Sequence, residues 1–328
     1  MADPKPLVSL VLTTLNSERY LARSMASCLG QSHDKLELLI VDGGSTDRTL
    51  DIVRAAGDPR IRLIHQPGNA GKLPGAINLG LAEARGDLLT WAQSDCWYEP
   101  NALEMMVTFL AEHPEVDQVY TDYWEVDEAG QTLNYRPAGP LADLLVADVV
   151  GVCFLFRRAV YAAIGPQAVE YYPVHDVPWR IRAARQFRFQ PLHVPLLHYV
   201  FHPGSLTNQF GRWNLQLLMA QALAQEGLLN PAAYQRRLGK IALDEAYEVF
   251  IFHGDFRRFW QALFRGARHD WRVLKNPGLW RLMLISLSPD RTKRQRALQS
   301  SWRAAERQRV DHLALPPQTA NDDVVAIH

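Results

Sequence analysis

The stretch LELLIVDGGSTD, residues 36–47, is the part of the sequence that decides the fold. Its first six residues are apolar apart from Glu37 and have the length of a buried strand, which Asp42-Gly43-Gly44 ends. Ser45 then holds the position of an N-cap for a helix that continues to about Ala56. A strand, a polar turn and a helix in this order form the repeating unit of open α/β sheets.

The same order of strand and helix repeats on both sides of this stretch. Apolar runs and helical spacing predict strands at 7–12, 61–65, 88–92, 118–123 and 151–157, and helices at 17–29, 74–84, 100–113, 158–164 and 176–185. This order predicts an α/β fold with a mostly parallel sheet and helices on both faces. Ligands of such sheets bind beyond the carboxyl ends of the strands, so the residues after each strand are the candidates for a site.

The composition excludes several classes of protein. With 328 residues, 48% of them hydrophobic, the chain can bury a substantial core. Lys and Arg total 35, as do Asp and Glu, so there is no overall positive charge for nucleic acid. Three distant cysteines predict neither a disulfide scaffold nor a zinc site, and favour a reducing compartment. We expect a cytoplasmic protein, because we find neither a signal sequence nor an apolar run of about 18 residues.

Each candidate after a strand has a functional and a structural interpretation. Asp42 could accept a hydrogen bond from a ribose hydroxyl, or it could be an ordinary turn residue. Asp95 could bind a metal ion, or it could be a surface-loop aspartate. Lys72 in the glycine-rich loop could contact a phosphate or only solvent. His198 and His202 could be ligands or core residues on a strand.

Asp176 is the strongest candidate for proton transfer. It stands at the start of a predicted helix, where the helix dipole stabilises an anion, so it could simply cap that helix. The functional interpretation makes Asp176 the general base for an acceptor hydroxyl, with His175 and Trp179 lining the site.

The order and spacing of these segments resemble glycosyltransferase family 2. The resemblance covers about residues 6–205 and rests on four blocks, which are 11–18, 40–47, 75–87 and 94–100. It implies a GT-A fold, a nucleotide-diphosphate sugar donor such as a UDP-sugar, a divalent metal ion (Mn²⁺ or Mg²⁺) and inversion at the anomeric carbon. Asp42-Gly43-Gly44-Ser45-Thr46-Asp47 is its most specific part.

The resemblance also implies roles for individual residues. It places Asp176 as the catalytic base and Asp95 at the last carboxylate of the Asp-X-Asp motif, with His202 near the diphosphate as a second candidate metal ligand. Asp42 matches the residue that contacts the base. The remaining members of the implied nucleotide-sugar site are Thr13, Thr14, Asn16, Glu18, Lys72, Asn78, Gln93 and Ser94.

Three positions depart from the family pattern. Gln93 and Cys96 stand where aspartates are usual, and His175 stands where a glutamate is usual. Asp95 is then the one strong carboxylate ligand of this block, so metal affinity is expected to be weaker or to depend on the substrate phosphates. The alternative function is a catalytically impaired nucleotide-sugar or glycan-binding protein of the same fold.

Residues 209–213 also match the Gln-X-X-Arg-Trp signature of processive family members. We interpret this match as chance or as a local feature of the acceptor side. Those enzymes carry membrane-spanning helices, which this sequence does not predict, so we favour transfer of a single sugar in polysaccharide or glycolipid assembly of the cell envelope. A nucleotidyltransferase is disfavoured, because residues 13–16 after the first strand hold neither glycine nor a basic residue.

The part of the chain after Arg212 differs in composition. We predict a catalytic domain at 1–212, a helical basic region at 213–315 and a disordered tail at 316–328. Residues 255–310 hold fourteen Arg or Lys against four Asp or Glu, mixed with aromatic residues. This mixture is typical of a helix that lies on an anionic membrane, where a lipid-linked acceptor would be found. It is equally compatible with aromatic residues packed in a helical subdomain, and both interpretations stay open here.

Overall fold

The computed structural model describes residues 5–141, 144, 149–250, 255–276 and 279–280. The chain divides into two compact units between Gln209 and Phe210, three residues before the predicted boundary after Arg212. The predicted tail at 316–328 and the basic stretch from 281 onward lie outside the described residues. The two units are described separately.

The first unit alternates strands and helices as predicted. Its strands are β1 Val8–Thr14, β2 Leu36–Asp42, β3 Ile61–His65, β4 Leu88–Gln93, β5 Cys96–Tyr98, β6 Gln118–Val126, β7 Thr132–Arg136, β8 Phe154–Arg157 and β9 Phe189–Val200. Its helices are α1 Leu21–Leu29, α2 Thr49–Ala56, α3 Lys72–Glu83, α4 Ala102–Glu112, α5 Arg158–Ile164, α6 Asp176–Ala184 and α7 Leu206–Phe210, the last of which ends at the division between the units.

The described strands form one sheet in the order β3-β2-β1-β4-β8-β6-β9-β5, with β7 paired to β6. The pairs among β1, β2, β3 and β4 are parallel, whereas β8 is antiparallel to both of its neighbours. The predicted α/β fold is confirmed, with the parallel half of the sheet formed by the first four strands. Every residue of β1 and β2 is buried, because helices cover both faces of that half.

Gly80 lets α3 lie close to the parallel half of the sheet. A Cβ atom at this position would stand 2.4 Å from Cγ1 of Val11 and 3.0 Å from Cγ2 of Val41. Any larger residue would therefore push α3 away from the sheet, and with it the glycine-rich loop that precedes the helix.

Two features of the first unit differ from the sequence predictions. Ser45 is not the N-cap of α2, since the helix begins at Thr49, and Asp47 accepts the hydrogen bond from the backbone N–H of Thr49 at 3.0 Å. Strands β5, β7 and β9 were not predicted. Strand β9 contains Pro191 and Pro195, which cannot donate to a ladder, and its pairing with β6 shifts register opposite Pro195.

The second unit contains α8 Arg212–Gln225, α9 Pro231–Glu248, α10 Phe256–His269 and a 3₁₀ helix at Trp271–Lys275. Helices α9 and α10 approach closely where Gly239 and Gly266 meet, because a Cβ on Gly266 would stand 3.1 Å from the carbonyl oxygen of Gly239. Phe259 and Leu263 pack into the apolar core of this unit. Among the described residues, no helix is long and apolar enough to cross a membrane.

Candidate active site

The carboxyl ends of four parallel strands bring the predicted site residues to one edge of the sheet. In the strand register, Thr13 lies beside Gln93 and Thr14 lies beside Asp42. Asp42 in turn lies beside His65, whose Nδ1 is 3.7 Å from the carboxylate. Residues from β1, β2, β3 and β4 therefore form a continuous polar edge, in the place where ligands of open α/β sheets bind.

Asp42 is almost fully buried at this edge, with 1% of its surface exposed. Its carboxylate accepts hydrogen bonds from the backbone N–H groups of Gly44 and Ser45, each at 3.1 Å. The structural interpretation of Asp42 is thus realised, since it holds the turn together. A carboxylate has about four lone-pair sites, so two backbone bonds leave capacity for a ligand donor.

The loop after β1 is bound to the loop after β2. Asn16 has a positive φ of 49°. Its backbone N–H donates to Oγ of Ser45 at 2.9 Å, and its side-chain oxygen accepts from the N–H of Thr46 at 2.8 Å. Glu18 accepts from the N–H of Arg48 at 3.1 Å. Asn16 and Glu18 thus hold the shape of the predicted nucleotide pocket through backbone contacts.

Asp95 and His202 form a hydrogen-bonded pair at this site. Asp95 Oδ2 lies 3.2 Å from Nε2 of His202, and both side chains are mostly buried. The ring of Tyr20 lies against His202, with centroids 4.8 Å apart, and its hydroxyl donates to Glu128. Burial, together with Glu128, raises the pKa of Tyr20 to about 12, so this hydroxyl stays protonated. No local pattern in the sequence indicates a role for Tyr20 or Glu128 at this site.

The residues around Asp95 can be tested for their fit to a divalent cation. Two neighbouring ligands of an octahedral ion with bonds of about 2.1 Å lie about 3 Å apart. The separation of 3.2 Å between Asp95 and His202 matches this geometry. Cys96 is unsuitable, because burial raises the pKa of its thiol well above the ordinary value of 9.0. No larger cluster of potential ligands occurs among the described residues, so the pair fits an ion that takes its other ligands from a substrate.

The glycine-rich loop after β3 packs against residues 169–172. Lys72 places its Nζ 4.6 Å above the ring of Tyr172, and a Cβ on Gly71 would stand 2.9 Å from Val169. Asn78 uses its amide for two hydrogen bonds to the backbone of Gln167, at 2.7 and 2.8 Å. The exposed Lys72 is available to a ligand, whereas Asn78 connects α3 to the backbone of Gln167, just before residues 169–172.

The start of α6 carries the remaining candidate base. Asp176 is partly exposed, and its Oδ2 lies 3.0 Å from Nη1 of Arg180. Arg180 is itself buried and donates to the carbonyl oxygen of Gly151 at 2.7 Å. Burial lowers the pKa of the neighbouring His175, although Asp176 partly opposes this effect. The carboxylate of Asp176 is therefore held in one orientation by a buried arginine while part of it faces solvent.

Trp179, which was expected to line the site, and His198, which was left open between a ligand and a core residue, lie elsewhere. Trp179 was predicted to line the site, but it is fully buried, donates to the carbonyl oxygen of Gly165 and packs against Trp91 on β4. Its apolar ring stabilises the attachment of α6 to the sheet. His198 lies on β9 and bonds to Glu99 at 2.6 Å rather than to Asp95.

Comparison with known proteins shows similarity to glycosyltransferases. Residues 9–165 match the family model described as glycosyl transferase family 2. A glycosyltransferase of Haemophilus influenzae is 36% identical over 110 residues, which are 33% of this chain and 44% of that protein. A PGL/p-HBAD biosynthesis glycosyltransferase of Mycobacterium bovis is 31% identical over 183 residues, which are 54% of this chain and 69% of that protein. The chain thus spans less than half the length of the first of these relatives.

Solved structures share the fold at low sequence identity. The structure of Staphylococcus aureus TarS 1–349 in complex with UDP-GlcNAc superposes with a TM-score of 0.60 at 18% identity, covering 91% of this chain and 92% of that one. The mannosyltransferase PcManGT from Pyrobaculum calidifontis, in complex with GDP-Man and Mn²⁺, gives 0.54 at 18% identity, covering 96% and 82%. At this identity the two structures establish a common architecture.

Proposed function

The chain belongs to glycosyltransferase family 2, and we propose that it transfers one sugar, with inversion, from a nucleotide-diphosphate sugar to a hydroxyl acceptor. The observation that carries the proposal is the Asp95–His202 pair, held at the same carboxyl edge of the sheet as the buried Asp42. We take UDP as the nucleotide, in keeping with the TarS complex.

The donor would be bound by the loops at this edge. Asp42 would accept a hydrogen bond from the base, and the mutually bonded loops after β1 and β2 would enclose the nucleoside without rearrangement. Lys72 would contact the diphosphate from the glycine-rich loop. Asp95 and His202 would hold a Mn²⁺ or Mg²⁺ ion. Such an ion neutralises the charge that develops on a leaving diphosphate.

Asp176 would act as the general base. Inversion requires the acceptor oxygen to attack the anomeric carbon from the face opposite the diphosphate, and that oxygen must lose its proton. The carboxylate of Asp176 is partly exposed and is oriented by Arg180 at 3.0 Å, as a base that meets an incoming hydroxyl requires. Lys72, His202 and the ion would stabilise the negative charge on the leaving diphosphate. Proton removal and departure of the diphosphate would therefore use different groups.

The acceptor would be a glycan or a lipid-linked sugar. The Mycobacterium bovis relative is named for PGL/p-HBAD biosynthesis, which supports a role in glycolipid or polysaccharide assembly at the cell envelope. A lipid-linked acceptor would be met at the cytoplasmic face of a membrane, through peripheral contact of the basic C-terminal region.

A donor screen tests the proposal. The purified chain is incubated with UDP-sugars and with GDP-mannose, in Mn²⁺, in Mg²⁺ and in EDTA, and released nucleotide diphosphate is measured. We expect metal-dependent release from a UDP-sugar, and a loss of that release in Asp95→Asn. If UDP binds but no donor is cleaved under any condition, the chain is a nucleotide-sugar-binding protein and the proposed activity is wrong.

A further inference from the structure

Helix α10 has an exposed apolar face in addition to its buried one. Phe259 and Leu263 point into the core of the second unit and are each 2% exposed. Phe256, Trp260 and Phe264 follow one another at intervals of four residues, and 48%, 37% and 60% of their surfaces are exposed. Residues four apart lie above one another on a helix, so these three rings form a stripe beside the buried face.

Further exposed apolar residues follow the helix along the chain. Trp271 and Trp280 are 58% and 54% exposed, and Leu274 between them is 37% exposed. In the described part of the chain, six of the eleven exposed large hydrophobic residues lie between 256 and 280. We refer to these six as the aromatic surface; its members are Phe256, Trp260, Phe264, Trp271, Leu274 and Trp280. A concentration of this kind marks an interaction site, because exposed apolar residues are otherwise scattered.

The segment that carries the aromatic surface has a positive net charge. Residues 255–280 contain six Arg or Lys and two Asp, a net charge of +4. Both aspartates are engaged locally, Asp255 with the backbone N–H of Arg258 at 3.0 Å and Asp270 with Arg272 at 2.8 Å. Arg257 precedes Trp260 by three residues and Arg268 follows Phe264 by four, so both flank the stripe, and neither has an ion-pair partner among the described residues.

We propose that the aromatic surface binds the surface of an anionic lipid bilayer. Tryptophan and phenylalanine enter the boundary between headgroups and acyl chains, and arginine side chains at their rim reach lipid phosphates. One apolar face of the helix packs inside the unit and the other lies outside, so a packed helical subdomain can also present aromatic residues to a membrane surface. A second copy of the chain is a poorer occupant, because two such surfaces would bring two charges of +4 together. The inference rests on the proposed function only for the use of membrane binding, which would be to reach a lipid-linked acceptor.

Vesicle co-sedimentation tests this inference without any need for transfer activity. The full chain is mixed with vesicles of phosphatidylcholine, with or without phosphatidylglycerol, at low and high salt. We expect binding to the anionic vesicles that weakens with salt, and little binding to phosphatidylcholine alone. Each cation near the surface contributes a factor of about five in affinity, so Arg257→Gln should weaken binding about fivefold. Phe264→Ser should weaken it at least as much, because this ring has the largest exposed fraction on the helix.

Matched variants in the first unit serve as controls. Arg54→Gln on α2 removes an exposed arginine, and Leu133→Ser on β7 removes a residue that is 48% exposed. Both controls should bind vesicles as the wild type does, and thermal unfolding should show that all four variants fold. The proposal is overturned if the wild type ignores anionic vesicles at low salt, or if the controls weaken binding equally. Loss of a dimer in Phe264→Ser without any vesicle binding would assign the surface to self-association instead.

Discussion

Replacing Asp176 by asparagine tests the proposed base against a purely structural role. Asparagine keeps an oxygen that can accept from Arg180 at the present 3.0 Å, but it cannot take a proton. A general base contributes about 10²–10⁴ in rate, so we expect kcat to fall by this factor. Donor binding should be unchanged, because the residues proposed to bind the donor nucleotide lie on the loops after β1 to β4.

The structural cost of the substitution is small by comparison. A charge-assisted hydrogen bond is worth about 1.5–3 kcal/mol and a neutral one about half of that. Asp176 is partly exposed, so we expect the free energy of unfolding to fall by about 1 kcal/mol, measured by urea denaturation. A domain with about 5–15 kcal/mol of stability remains folded after such a loss, so unfolding cannot account for the lower rate.

Arg180→Lys provides the control, because lysine keeps the positive charge and loses the planar guanidinium that orients the carboxylate. We expect this variant to lose about tenfold in kcat through misorientation of Asp176, and urea denaturation should show that it folds, because Arg180 also donates to the carbonyl oxygen of Gly151. Rates are measured as nucleotide diphosphate release, with the donor and acceptor that support wild-type turnover. If Asp176→Asn keeps more than about a tenth of kcat, the base is another residue. If Arg180→Lys loses as much as Asp176→Asn, the carboxylate has a positioning role instead.

Three further predictions concern the metal, the packing and the pH dependence. His202→Ala should raise the Mn²⁺ concentration needed for half-maximal donor cleavage about 10–100-fold, whereas His193→Ala should leave it unchanged. An unchanged Mn²⁺ titration in His202→Ala would contradict the assignment of His202 as a ligand. Gly80→Ala should lower the free energy of unfolding in urea by about 1–3 kcal/mol despite the better helix propensity of alanine, because its Cβ would stand 2.4 Å from Val11; a more stable variant would disprove the close approach. Burial opposes the ionisation of Glu37, but hydrogen bonds lower its pKa below 4.5. The stability that the Glu37 carboxylate contributes is therefore present above that pH and lost as the pH falls further. Glu37→Gln should flatten the dependence of the free energy of unfolding on acid pH.

The sequence predicted the elements of the parallel half because each strand there is a short apolar run followed by a polar turn. It also predicted which residues meet, since parallel strands that end together bring Thr13, Asp42 and Gln93 to one edge. Strand β9 was missed because Pro191 and Pro195 break the pattern of a strand, and a register shift in the sheet accommodates Pro195.

Contacts between distant parts of the chain could not be predicted in the same way. Tyr20 and Glu128 are 108 positions apart, and no local pattern connects them. Trp179 was expected to line the site beside Asp176, but a position three residues further along a helix does not determine how deeply a side chain is buried. Its contact with Trp91 depends on how α6 packs against β4, which a single sequence does not specify.

The arrangement of carboxylates explains why metal dependence is the decisive measurement on this protein. Asp42 and Asp47 already accept hydrogen bonds from backbone N–H groups and so hold their loops in place. They would have to give up these hydrogen bonds to bind an ion, which makes them poor metal ligands. Asp95 has a different kind of partner, Nε2 of His202 at 3.2 Å. A cation could bind both atoms in place of the proton of their hydrogen bond. With glutamine at 93 and a buried thiol at 96, the proposed site would supply two ligands, Asp95 and His202, and the substrate's phosphates would supply others. Metal and donor should therefore bind cooperatively, each raising the affinity for the other by the same factor.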